Sequence, residues 1–171
     1  MKHISKEKLF LLIAMAVMIV LFFSSSQTYE QQSQVSLLAK VLKNEPFKGF
    51  LSKFSFSYGG SPVSIEADGY FKFVEFFIRK GAHFLTFFVL GGSLCLVLYH
   101  KTRSLFISGL FGWLSATGYA ALDEFHQMIT GGRTPLFQDV ALDSIGALTA
   151  CVLVMLITWL KTGKVKSKRK S

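Results

Sequence analysis

The chain has 171 residues, of which 51% are hydrophobic and only 17% charged, and it carries a formal net charge of +9. That balance excludes both an ordinary soluble domain and a disordered polyelectrolyte, and it points to a small membrane protein. Two cysteines, Cys95 and Cys151, each set in an apolar run, exclude a disulfide scaffold and read as small buried residues.

Taken in order, the chain begins with a basic stretch, Met1–Lys8, followed by the apolar run Leu9–Phe23 and then Ser24–Ser26. This is also the order of a secretory signal peptide. Phe22 and Phe23 occupy the positions where a cleavage site needs small residues, so the run reads as an uncleaved anchor. Three further apolar runs follow. A helix crosses the hydrocarbon core with about 20 residues. Spans are therefore expected at about 9–25, 82–99, 105–122 and 139–160. The fold class is all-α, an integral membrane bundle of four transmembrane helices. The domain reading is a cytoplasmic N-terminus at 1–8, a membrane domain at 9–160 and a basic tail at 161–171.

Residues 26–81 form a segment between the first and second spans. Val35, Leu38, Ala39 and Leu42 recur at helical spacing, as do Phe47, Phe50, Leu51 and Phe54 after Pro46, with lysines interleaved. Such amphipathic pieces lie flat in a membrane interface or pack on the ends of a bundle. "YGGSP" at 58–62 is a turn signal. From Asp68 the pattern is helical again, and "GYFKFVEFFIRKGAHF" carries an aromatic belt into the second span.

Lysines and arginines set the orientation. Lys2, Lys6 and Lys8 precede the first span, Lys101 and Arg103 separate the second and third, and the tail 161–171 is basic. With four spans these regions share one side, which the positive-inside rule makes cytoplasmic. The expected location is the cell membrane, multi-pass, with both termini cytoplasmic. The basic tail then reads as an anchor near anionic lipid, and no nucleic-acid partner is expected.

The same topology gathers polar groups at the outer face. Arg79, Lys80 and His83 enter the second span. Asp123, Glu124 and Gln127 leave the third, Arg133 lies in the connection, and Asp139 and Asp143 open the fourth. Arg79 and His83, Asp123 and Gln127, and Asp139 and Asp143 are each four apart and share a helix face. Asp143 sits about 6 Å deeper than Asp139. A lone carboxylate there is costly, so it should face the interior and have a partner. Gly146 and Ala150 on its face, and Gly109, Gly112, Ala116 and Gly118 on the third span, allow close helix approach. His126 lies on another face and reads as an interface residue.

Two readings of the cluster stand side by side. In one, Arg79, Lys80 and Arg133 pair with the carboxylates and lock the bundle. In the other, the cluster is a ligand-binding pocket. Arg133 and Lys80 would hold a phosphate or carboxylate, and Glu124, Asp139 or His83 would transfer protons. The spacing matches no metal motif of the HExxH type, so neither a metal nor a cofactor is assigned.

These residues in this order resemble the VanZ-like family of bacterial membrane proteins. The matching pieces are Ser25-Ser26-Gln27 with Ser33 and Ser36, then Arg79, Lys80, His83 and Phe84. Asp123, Glu124 and Gln127 follow, and finally Gly132, Arg133, Asp139, Asp143 and Gly146. Two positions depart from the pattern. Phe87 stands where the family commonly has Tyr, and Asp143 where it often has Asn. The resemblance implies a cell-envelope role, with teicoplanin (lipoglycopeptide) resistance known for the family's named member. A phosphotransbutyrylase label borne by some relatives does not fit, because soluble acyl-CoA and acyl-phosphate would not meet an outward cluster. Three functions follow as expectations. The first is binding of a lipid-linked envelope precursor or lipidated ligand, with membrane lipids as partners. The second is a membrane-embedded enzyme acting on a lipid or isoprenoid headgroup. The third, with four spans the least suited to the chain, is transport using Asp143 in a homo-oligomer.

Overall fold

A computed structural model describes residues 5–131 and 134–168. Four long helices dominate: α1 (Lys6–Ser25), α6 (Tyr70–Thr102), α7 (Leu105–Gly131) and α8 (Phe137–Lys168). All four are long and apolar enough to cross a membrane. Between α1 and α6 lie the short helices α2 (Tyr29–Gln32), α3 (Val35–Val41), α4 (Lys48–Leu51) and α5 (Ile65–Asp68), with strands β1 (Ser55–Tyr58) and β2 (Ser61–Ser64) between α4 and α5.

Helix α6 packs against each of the other three long helices. α7 and α8 pack on each other, and α1 completes the bundle against α6 and α7. Small residues make this possible. A Cβ at Gly146 would lie 2.5 Å from the Phe84 carbonyl oxygen, and one at Gly91 would lie 2.7 Å from Ala147 Cα. One at Gly112 would lie 2.9 Å from Cys95 Cα, and Gly109 receives the Met155 side chain. The core around these contacts holds Ala14, Phe87, Leu90, Ala116, Ala120 and Ala147. Gly118 departs from the expectation, because nothing lies within 4 Å of its Cβ direction. Cys95 and Cys151 are free and buried, as expected of small apolar residues. Outward faces are apolar, with Leu12, Val20, Leu85, Phe111, Leu122, Val152 and Leu156 all exposed. Such a surface is stable only in lipid.

At 33 residues, α6 is about 50 Å long, against a hydrocarbon core of about 30 Å. Its first turns, with Lys72, Glu75, Arg79 and Lys80, therefore reach beyond the apolar layer. α7 likewise runs on past residue 122, so Asp123, Glu124 and Gln127 belong to a helix and not to a loop.

The antiparallel pairing of β1 with β2 brings Tyr58 opposite Ser61 across Gly59-Gly60. Both glycines have positive φ, +59° and +82°, as a two-residue hairpin turn requires. The "YGGSP" turn signal thus closes a hairpin, although the helical spacing from Phe47 to Phe54 gives no hint of strands. α4 stops at Leu51, and the chain turns to extended structure after Phe54. Gly59 packs against the Leu136 side chain in the α7–α8 connection, which holds the hairpin over the end of the bundle.

Candidate functional site

A cavity of about 450 Å³ opens at that end, beneath the hairpin. Its walls come from β1 and β2 (Tyr58, Ser61), α6 (Glu75, Arg79, Lys80, His83), α7 (Glu124, Gln127) and α8 (Asp139), with Tyr29 at the side. Most of the cluster expected from the sequence thus converges on one volume. Asp123 and Asp143 sit beneath it, each 4% exposed. Arg133 and the Gly132 that precedes it lie outside the described residues. His126 is turned away, with its ring stacked on Phe22 of α1 at 4.6 Å.

Lys80 and Asp139 form an ion pair at 2.5 Å. The Asp139 carboxylate also accepts a hydrogen bond from the Tyr58 hydroxyl at 2.5 Å. Lys80 Nζ lies 4.7 Å from the centre of the Tyr58 ring as well. Burial and the hydrogen bond to Asp139 push the Tyr58 phenol above its ordinary range, so it donates at any physiological pH. Glu124 accepts from the Leu136 backbone N–H at 2.7 Å, which fixes the α7–α8 connection. Asp123 accepts from Ser25 Oγ at 2.5 Å and from Gln127 Nε2 at 2.9 Å. Ser25 thereby ties α1 to the cluster.

On α6, Glu75 is 1% exposed. It accepts from the Tyr29 hydroxyl at 3.1 Å and from the Gln34 backbone N–H. Burial, with the Glu75 charge beside it, also raises the Tyr29 phenol. Arg79 pairs with no carboxylate among the described residues, contrary to the bundle-locking expectation. Its Nη2 donates to Gln32 Oε1 at 3.2 Å, and its guanidinium lies 4.6 Å over the Tyr29 ring. Its Nη1 is buried without an acceptor. An unsatisfied buried donor costs about 1–3 kcal/mol, and more when charged. One turn further along the same face, His83 Nδ1 lies 3.4 Å from Asp143 Oδ2. That supplies the partner expected for Asp143, whose other oxygen is buried and unpaired.

Glu75, Tyr29, Gln32 and Tyr58 join the site without being expected from the sequence. Glu75 was signalled by its place four residues before Arg79 on the same face. Tyr58 was signalled only by its position before the Gly-Gly turn, and its reach to Asp139 depends on tertiary packing. No group of three or more His, Cys, Asp or Glu side chains with metal-site geometry occurs among the described residues.

Four apolar helices with a polar cavity at one end define a multi-pass membrane protein. The VanZ/LLP1 family model matches residues 10–158, so the chain belongs to that family. Neither the comparison with curated proteins nor that with solved structures returned a match.

Proposed function

We propose that this VanZ-like protein sits in the cell membrane with both termini cytoplasmic, and that its cavity receives the polar head of an amphiphile from the outer leaflet. The orientation is supported by the lysines and arginines flanking the spans. The observation that carries the binding reading is the cavity itself. Its volume of about 450 Å³ suits a head group. Cationic and acidic side chains line it where α6 leaves the apolar layer, so a ligand can keep its tail in lipid. A lipid-linked envelope precursor and a lipoglycopeptide such as teicoplanin are both amphiphiles, of which a cavity this size would take only part of the polar moiety, and binding either one would give a route to resistance.

The enzymatic alternative rests on one feature. His83 lines the cavity and is oriented by a buried carboxylate, an arrangement suited to general acid–base work on a head group. A strain lacking the protein separates the two. Wild type, Arg79→Ala and Glu124→Gln would be restored, each quantified in membranes, and teicoplanin and vancomycin sensitivity compared. Glutamine at 124 keeps an oxygen for the Leu136 N–H, so the binding reading expects Glu124→Gln to protect and Arg79→Ala to fail. Loss of protection in well-expressed Glu124→Gln would favour catalysis. Equal teicoplanin sensitivity with and without wild type would sink the resistance role.

A further inference from the structure

We infer that the head group is recognised through a phosphate-type oxyanion held between Arg79 and His83. This rests on the reading of the cavity as an amphiphile site, and it names the chemistry that site selects. Among the described residues, the cations that line the cavity are Lys72, Arg79, Lys80 and His83. Lys80, the obvious anion ligand, is committed: Asp139 is 2.5 Å from its ammonium, and the rings of Tyr58 and Phe76 lie beneath it. Lys72 is exposed on the rim. Arg79 differs from both. It lines the cavity, bonds among the described residues only the neutral Gln32 amide, and keeps Nη1 buried without an acceptor. Glu75, four residues earlier, accepts from Tyr29 and Gln34 and forms no ion pair with Arg79 among the described residues. The Tyr29 ring, 4.6 Å from the guanidinium carbon, and the Gln32 bond hold the guanidinium in place, and a held planar fork suits an oxyanion with two or more oxygens.

His83 supplies the second contact. It follows Arg79 by one helical turn, about 6 Å along the axis, and lines the same cavity. Asp143 engages Nδ1 from below, which leaves Nε2 for the cavity side. In the doubly protonated ring that other nitrogen donates. The oxyanion would bridge the two donors. The same chemistry belongs to a phosphomonoester lipid and to free phosphate.

The test uses the purified full-length protein in detergent, with calorimetric titration of three probes: inorganic phosphate, dihexanoyl phosphatidate and neutral dihexanoylglycerol. We expect phosphatidate to bind at least about tenfold more tightly than the neutral lipid, and Arg79→Gln and His83→Gln each to remove most of that preference. Arg79→Lys, which keeps the charge but loses the fork, should fall between. Size-exclusion profile and circular dichroism identify variants that remain folded, and Arg79→Lys decides the matter if the glutamine variants do not. If inorganic phosphate binds and the variants lose it, the subsite stands with a free anion as a sufficient source. If phosphatidate and dihexanoylglycerol bind alike, the oxyanion subsite is overturned while the amphiphile cavity survives. If no probe binds, both readings fall.

Discussion

Asp139 holds two donors at once, the Lys80 ammonium and the Tyr58 hydroxyl. That makes it the point where the hairpin, α6 and α8 are joined. Asp139→Ala would leave both donors half-buried and unpaired, and we expect a loss of about 1–3 kcal/mol in unfolding measured in detergent. Replacing Lys80 and Asp139 together with Met and Leu should recover part of that loss, because breaking one partner of such a pair costs more than removing both. The raised Tyr58 phenol has its own consequence. A group whose folded pKa lies above its ordinary value of 10.0 stabilises fully below that value, and its contribution fades as pH rises past it. Wild type should therefore lose stability above about pH 10, and Tyr58→Phe should flatten that alkaline slope in thermal melts at stepped pH.

At the level of elements, the close approach of α8 to α6 depends on glycine. Gly146→Val would drive a side chain into the Phe84 carbonyl, with an expected cost of about 1–3 kcal/mol or more. Gly118→Ala meets open space and should be neutral or gain up to about 1 kcal/mol from helix propensity. Parallel melts of the two variants check the contrast. The span pattern and the small faces at Gly112, Gly146 and Ala150 were legible in the sequence, because hydropathy and residue size act locally along a helix. The same local pattern overrated Gly118. Nor does it reveal the hairpin, since Ser55–Tyr58 and Ser61–Ser64 are short strands stabilised by each other and by Leu136. Likewise, charge spacing brought Lys80, Glu124 and Asp139 to one surface. It could not tell that Lys80 would be consumed by Asp139 while Arg79 was left to stack on Tyr29, because those choices depend on contacts between residues far apart in the chain.

For the whole molecule, the polar end of the bundle is held open by the hairpin above and the buried Asp123 and Asp143 below. The opposite end is tied by the exposed pair Lys101–Glu7 at 2.9 Å, which contributes little to stability. What matters is which end faces outward and whether the cavity is the occupied site. Ser61 is exposed on the hairpin and lines the cavity, and the native thiols of Cys95 and Cys151 are buried at 0% and 1% exposure. The most direct measurement is the rate at which a membrane-impermeant maleimide labels Ser61→Cys in intact cells, with and without added dihexanoyl phosphatidate. We expect labelling without permeabilisation and marked slowing by the lipid. Labelling only after permeabilisation would place the cavity on the wrong side, and a rate indifferent to the lipid would contradict the cavity as its binding site.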